Sequence, residues 1–522
     1  MCKESIGALA REPLILSRAA WLVAACVACI LLRGPAFRYG AISDDEAIYD
    51  TMAQEIVAGG VLYKHTVDHK PPGVVYTYAA LESLSGNGRH RIAFVHLFGI
   101  LVVLGTCFGL HFVGRQILSP PFEVVPPLLY AVISTTKVPY DALAVNGELL
   151  MNLPLIIAVG CSMQATHRRM SQALGLDVLS GLLISVAFLY KYQAGVLLCA
   201  LPLIALDSKD RRWRSRIFAW IIGFSIPIAG FAFYFYHAGA LREAIHWGVA
   251  FNAQYIRSGV SALWATQRFA RQCIGVIIPG LLLYVSAAIT LARVIRGDNC
   301  FVDVRRYRAF LVAWSVLSLL SVTIGGRYFG HYFLQPELPL SIAAAGPTAR
   351  LFLEKRWAFV SLLAVPALLF LLGASLPRTP GRWLDDDVIA YGRLGSELAA
   401  RTNPSDSIWI WGNVPRLYYS ANRRSGTRFT FCNYLTGLSP GTPSEYDARV
   451  DPSGPSEPQA WSQVLSDLTT RQPRLILDTA AAHWKSYGKF PIKRYPEFSR
   501  YLAEHYRNSG AIDGAIVYDR VR

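Results

Sequence analysis

Charge is scarce in this sequence. Asp, Glu, Lys and Arg make up 16% of the 522 residues, where a soluble protein carries about 25%. The shortage is uneven. From about Pro13 to Ser375, long apolar runs alternate with short basic loops, and 53% of all residues are hydrophobic. That pattern excludes an ordinary soluble domain, because a helix needs about 20 apolar residues to cross the hydrocarbon core of a bilayer. Acids are scarcer than bases, 35 against 51, for a net charge of +16. Much of the excess base lies beside apolar runs, as in Asp207–Arg216 (DSKDRRWRSR). There it sets membrane orientation, so nucleic acid is not the partner implied. Internal repeats and low-complexity tracts are absent. Asp44-Asp45-Glu46 is not an Asp-x-Asp signature, so a nucleotide-sugar site is not indicated. The nine cysteines fall mostly in apolar runs, where Cys acts as a small hydrophobe. Cys26 and Cys29 form a CxxC without a second ligand pair. The tail holds only Cys432 and therefore no internal disulfide. No small-residue cleavage site follows the apolar stretch after Arg11 and Arg18, which reads as an uncleaved first span with its N-terminus in the cytoplasm.

What is present is an α-helical polytopic membrane protein of about eleven transmembrane helices, residues 1–376. Spans are expected at Leu14–Phe37, Ile92–Gly114, Phe122–Val138, Leu149–Gln164, Ile217–Tyr236, Ile274–Val294, Phe310–Gly325, Tyr332–Ala345 and Trp357–Leu376. The run Leu176–Leu206 would be about 46 Å long as one helix, too long for an upright crossing. Basic loops flank it on both sides, so a hairpin turning near Lys191 is preferred. Odd parity then places the tail, residues 377–522, outside the cytoplasm with the first loop, residues 38–90. Apolar strands at Ser407–Trp411, Arg474–Asp478 and Ala515–Asp519, with helices at Asp386–Arg401 and Trp461–Arg471, predict a small C-terminal α/β extracytoplasmic domain.

The first loop carries the densest chemistry. Ser43-Asp44-Asp45-Glu46 opens it, and His65-Thr66-Val67-Asp68-His69-Lys70-Pro71-Pro72-Gly73 follows about twenty residues later. Ala47–Ala58 between them has the pattern of an interfacial amphipathic helix. Three adjacent carboxylates repel each other, which is expected to raise the pKa of at least one and suits a general base. Equally, Asp44 or Asp45 could cap that helix. His65, His69 and Asp45 are a set that could hold a divalent metal, although their spacing fits no strict template. The two prolines after Lys70 hold it extended, and a fixed cation there suits a lipid phosphate or, more simply, lipid head groups.

Later candidates are sparser. Gly325-Gly326-Arg327-Tyr328-Phe329-Gly330-His331-Tyr332 lies between spans on the same side as the first loop. Arg327 there could fork two bonds to a phosphate, or snorkel beside an aromatic belt. In Asn146-Gly147-Glu148, turn chemistry explains the first two residues and leaves Glu148 as a candidate. Asp177 and Lys191 are ionisable groups near membrane depth, functional by default or, for Lys191, interfacial.

Asp44-Asp45-Glu46-Ala47-x-Tyr49, Gly59-Gly60, Tyr63 and Asp68-His69-Lys70-Pro71-Pro72-Gly73 resemble the first loop of GT-C glycosyltransferases. The branch is that of the protein O-mannosyltransferases and aminoarabinose transferases, glycosyltransferase family 39-like. Arg327–Tyr332 is similar to that group's late segment. The resemblance implies a hexosyl- or pentosyltransferase taking sugar from a polyprenyl-phosphate donor to a hydroxyl of a glycan, lipid or protein acceptor. It implies chemistry on the extracytoplasmic face of the inner membrane, with inversion. By this resemblance Asp45 is the base, with Glu46 and Asp44 beside it. Lys70 steadies the leaving phosphate, with Arg327, His331 and His69 as further phosphate ligands and Tyr49 and Asp68 in support. Relatives that transfer aminoarabinose tend to carry Glu where this chain has His69, so neither sugar nor acceptor carries over. Competing classes are a transporter or flippase of lipid-linked sugars, and an O-antigen-type ligase or polymerase. No convincing inverted repeat supports the first, and the early position of the acid cluster disfavours the second.

Overall fold

The computed structural model describes residues 17–85, 91–137, 143–207, 210–257, 260–298, 304, 306–375, 385–452, 454 and 456–521, with backbone alone at 375 and 385–390. Leu14 at the start of the first expected span, the end of the first loop (86–90), the start of the tail (377–384), Arg11, Cys2 and Cys300 lie outside them.

The chain is a multi-pass membrane protein. Among the described residues, six helices are long and apolar enough to cross a bilayer: Arg18–Arg38, Arg91–Ile117, Gly147–Ala165, Met170–Tyr190, Trp213–His237 and Arg356–Ala374. Ala262–Val276 and Leu281–Ile295 pass the same test only as a pair, bent by 108°, the geometry of a broken span or a re-entrant loop. The expectation of about eleven spans is not confirmed by these helices, which number six, or up to seven, among the described residues. Hydropathy registers apolar runs and does not see where the backbone breaks. Pro279 and Gly280 interrupt the expected Ile274–Val294 span, as a residue without an N–H must interrupt a helical ladder. The remaining apolar runs form shorter helices such as Phe122–Ile133, Tyr192–Asp207 and Arg308–Val322.

The run Leu176–Leu206 does break at Lys191, whose backbone is extended (φ −155°, ψ 125°). Met170–Tyr190 and Trp213–His237 then lie side by side and parallel. Near their starts Arg216 pairs with Asp177 at 2.7 Å, and further along both helices Phe188 meets Phe224 with ring centroids 5.3 Å apart. Two parallel neighbours require the intervening residues 192–207 to return across the layer. Gly181 and Gly223 allow the close approach, since a Cβ on either would meet the facing helix backbone, at Trp220 O and Val178 O respectively. The fully buried Asp177 carboxylate also accepts from Trp220 Nε1 at 2.8 Å, so it clamps two helices.

The tail forms a five-stranded mixed sheet: β1 (Ser407–Trp411), β2 (Arg424–Ser425), β3 (Leu475–Asp478), β4 (Tyr506–Ile512) and β5 (Ala515–Arg520), in the order β2-β1-β3-β5-β4. β1 runs parallel to β2 and β3; β5 is antiparallel to β3 and β4. β1 and β3 are buried apolar strands, covered by the helices Asp385–Ala400 and Pro458–Arg471. β4 (YRNSGAI) is polar and has no alternation to reveal it; it pairs through a tight turn at Asp513 and Gly514, both with positive φ.

Tail and first loop touch directly. Val67 N donates to Arg428 O at 2.9 Å and Arg471 meets Glu55 at 3.0 Å, while Arg91, at the start of the next membrane helix, donates Nη1 to Asn422 Oδ1 at 2.7 Å. Contacts of this kind require both to lie on the same side of the membrane.

Candidate functional site

Ser43 begins the site. It is the N-cap of the Asp44–Val57 helix, accepting from Glu46 N at 3.1 Å. The expected helix thus starts three residues earlier than Ala47, and neither Asp44 nor Asp45 is its cap. All three acids sit in the first turn. Successive residues on a helix are rotated by about 100°, so neighbours in sequence face different surroundings. Asp44 faces the tail, Asp45 faces Lys70, and Glu46 faces the interior.

Each acid meets its own cations or donors. Asp44 is paired with Arg416 at 3.2 Å and with Lys485. Asp45 Oδ1 accepts from Lys70 Nζ at 2.7 Å. Glu46, fully buried, accepts from Ile42 N and Val145 N, each at 2.7 Å, and lies 3.3 Å from His96 Nε2. The expected mutual repulsion does not govern these groups. Burial pushes the Asp45 carboxyl up, but Lys70 and His331 outweigh it and hold the group below the usual carboxylate range. Burial likewise loses to Lys485 and Arg416 at Asp44, and to His96 and two backbone donors at Glu46. Glu46 is absent from the cavity wall and held by the donors around it. It ties the loop helix to the segment that enters the Gly147–Ala165 helix.

The second motif folds back over this turn. Tyr63 donates its hydroxyl to Lys70 O at 2.7 Å and fixes the backbone ahead of the two prolines. The Lys70 ammonium, 25 residues from Asp45 in sequence, also stands 4.7 Å over the buried Tyr49 ring. Asp45, Asp68 and Tyr49 raise the Lys70 pKa against the opposing effect of burial. Asp68 is buried. Its Oδ1 accepts from His69 N at 2.7 Å and lies 3.3 Å from Tyr434 OH, while His69 Nδ1 is 3.1 Å from the same hydroxyl. The His69 ring rests against Tyr255, centroids 4.3 Å apart. His65 goes elsewhere: its Nδ1 accepts from Val61 N at 2.9 Å and it does not line the cavity. Asp45, His65 and His69 are therefore not brought together. No group of three or more His, Cys, Asp or Glu among the described residues is arranged to hold a metal.

Glu148, in the first turn of its helix, is 2.7 Å from Lys191 Nζ and 3.8 Å from His331 Nε2. The break at Lys191 turns its ammonium onto this carboxylate and over the Tyr332 ring, at 4.6 Å. His331 stacks on Phe329 with planes 7° apart. Arg327 gives Nε to Pro440 O at 3.0 Å, and Nη2 to Ser439 Oγ at 2.9 Å and Tyr255 O at 3.1 Å, above the Tyr255 ring. These donors of Arg327, expected to fork onto a phosphate, fasten the tail to the membrane helices.

These groups surround one cavity of about 970 Å³. Asp44, Asp45, Asp68, His69, Lys70, Lys191, Arg327 and His331 line it; Tyr49 and Glu148 stand behind Lys70 and Lys191. Its wall carries six Lys and Arg side chains against four carboxylates, so it favours anions. Sequence reading did not find Arg268, Tyr255, Arg416 or Lys485, all on the wall. Arg268 lies in a helix that no hydropathy run marks. Its Nε donates to Arg327 O and its Nη1 to Tyr446 OH at 3.1 Å. Arg416 and Lys485 are tail cations with no motif around them.

Residues 69–236 match the family model described as dolichyl-phosphate-mannose-protein mannosyltransferase. No curated protein matches the chain. By structure it is similar to ArnT from Cupriavidus metallidurans bound to undecaprenyl phosphate, with TM-score 0.61 and 13% identity over 97% of this chain and 99% of the other. It is also similar to the Archaeoglobus fulgidus oligosaccharyltransferase tethered with an acceptor peptide, with TM-score 0.54 and 12% identity over 97% and 74% of the two chains. The same archaeal enzyme, AglB, in complex with an inhibitory peptide and a dolichol-phosphate gives TM-score 0.53 at 10% identity over the same shares. The GT-C glycosyltransferase resemblance is thus carried by a family model over part of the chain and by fold over nearly all of it.

Proposed function

We propose that this chain is a GT-C glycosyltransferase that moves a sugar from a polyprenyl-phosphate donor to an acceptor hydroxyl, on the extracytoplasmic face of the inner membrane. The observation that carries the reading is the pairing of Asp45 with Lys70 at 2.7 Å on the wall of a cationic cavity. Undecaprenyl phosphate and dolichol-phosphate bound in the two solved folds support the donor class.

The chemistry divides between the two side chains. The acceptor oxygen attacks the anomeric carbon and gives its proton to an Asp45 carboxylate oxygen. The bond from that carbon to the phosphate oxygen breaks, and its electron pair leaves on the lipid phosphate. Attack opposite the leaving group inverts the anomeric centre. Lys70 holds the oxygen where charge develops, with Lys191 and His331 adding positive potential. A phosphate docking at Lys70 gives that ammonium a second acceptor, which loosens its bond to Asp45 and frees the carboxylate for the hydroxyl. Because its pKa is depressed, Asp45 is ionised at neutral pH, and it takes the proton as the leaving group departs.

Asp45→Asn removes the base and keeps the shape. Transfer from a polyprenyl-phosphate sugar in proteoliposomes is expected to fall by about 10² to 10⁴-fold, with membrane insertion and elution volume unchanged. Wild-type transfer by that variant rules out the reading.

A further inference from the structure

Asp44 is a wall carboxylate that the transfer chemistry leaves unused. It lines the cavity about one-third exposed, and two tail cations converge on it. Arg416 follows β1 at the start of the Arg416–Ala421 helix, and Lys485 comes from the loop after β3. Asp44 is the carboxylate in direct contact with both cations, and Glu445, also on the wall, is near enough to interact with Lys485 and Asp44. The Lys485 loop is held in an unusual backbone: His483, Lys485 and Ser486 have φ of 57°, 45° and 64°, in the left-handed region that non-glycine residues seldom adopt. Such conformations persist where the surrounding structure over-determines them and concentrate at ligand sites. The same loop supplies Tyr487, whose hydroxyl lies 3.2 Å from Asn433 Oδ1. That bond orients the amide so that Nδ2 is its donor end. Asn433 is 5% exposed and lines the cavity, and its Nδ2 is buried with no partner among the described residues. Arg416 Nε is likewise buried and makes no hydrogen bond of good geometry among them. Two cations, an idle amide donor and a carboxylate that can be displaced are the parts of an oxyanion site.

We propose that the tail builds a second oxyanion-binding subsite from Arg416, Lys485 and Asn433, which takes a phosphate or carboxylate additional to the phosphate at Lys70. This deepens the transferase reading and rests on it for the identity of the first phosphate. Asp44 occupies the subsite when it is empty. Its first-turn neighbour Asp45 faces Lys70, so the subsite lies one helix residue away from the reacting centre. The oxyanion has two sources consistent with this chemistry: an acidic group on the acceptor, or the second phosphate of a diphosphate-linked donor.

The test is inorganic phosphate binding to the full-length chain in nanodiscs, followed by equilibrium dialysis. Two equivalents are expected in the wild type, one in Lys70→Met and one in Arg416→Gln/Lys485→Gln. Asp44→Asn removes the competing carboxylate and is expected to tighten the second equivalent about tenfold. A gain of that kind does not arise from misfolding. Phosphate binding unchanged by both the double variant and Asp44→Asn overturns the proposal. This readout needs no turnover, so a chain that binds two phosphates and transfers nothing loses the transferase reading and keeps the subsite. Transfer kinetics of Arg416→Gln then separate the sources. A KM raised about tenfold for the acceptor alone marks an acidic acceptor, and one raised for the donor alone marks a diphosphate. Unchanged KM for both substrates also overturns it.

Discussion

Lys70→Met tests the reading where it is most exposed, because two independent consequences follow from one charge. Methionine keeps the length of the side chain and removes the ammonium 2.7 Å from Asp45 Oδ1. The first consequence is lost stabilisation of the departing phosphate. One preorganised group of this kind is worth about 3 kcal/mol, so the rate of transfer should fall by about 10²-fold to 10³-fold. The second concerns Asp45. Unit charges 2.7 Å apart attract by about 1.5 kcal/mol even at the dielectric constant of water, which is about one pKa unit. The two side chains are only 30% and 19% exposed, so that figure is a lower bound. The sign follows from the direction of the shift. The Asp45 pKa is depressed, so its carboxylate is present at neutral pH and lost as pH falls through the folded value. Without Lys70 that loss occurs at higher pH. The assay is single-turnover transfer in proteoliposomes from about pH 4 to pH 8, a range that brackets the displaced acid limb. Wild type should be flat over most of it; Lys70→Met should be slow, with its acid limb displaced upward by about one unit or more. An undiminished rate, or a diminished one whose acid limb has not moved, refutes the coupling between these side chains.

Other variants address the scaffold. Glu46→Ala strips three donors of their acceptor in a buried place and should cost about 3 kcal/mol, read as a lower Tm in detergent with no recovery of activity at any pH. Gly223→Leu drives a side chain into Val178 O and should prevent the Met170–Tyr190 and Trp213–His237 helices from closing, read as loss of monodisperse protein on size exclusion. Truncation of residues 377–522 removes Arg416, Asn433 and Lys485 from the cavity wall and should abolish transfer even where the membrane helices still insert. Retained transfer in that truncation contradicts a working role for the tail.

Much of this was legible in the order of residues. Apolar runs with basic flanks told of a multi-pass protein, and the length of Leu176–Leu206 required a turn that falls at Lys191. The apolar strands β1, β3 and β5 stood out because buried strands read as short continuous apolar segments. Where the apolar runs break was not legible, because a proline-glycine break such as that at residues 279–280 leaves hydropathy unchanged. The fate of the acids was not legible either. Adjacent carboxylates predict repulsion only if their surroundings are ignored, and the cations that reverse it come from residues 70, 331, 416 and 485.

The sequence by itself determined that the chain enters a membrane, that its first loop concentrates acids ahead of a proline-locked lysine, and that its tail can form a sheet. These are local properties, set by hydrophobicity, by the fixed φ of proline and by strand patterning. Tertiary structure alone decided which carboxylate faces which cation. Electrostatic interaction depends on distance through space, and a helical turn separates Asp44, Asp45 and Glu46 into three environments supplied by parts of the chain as much as 441 residues away.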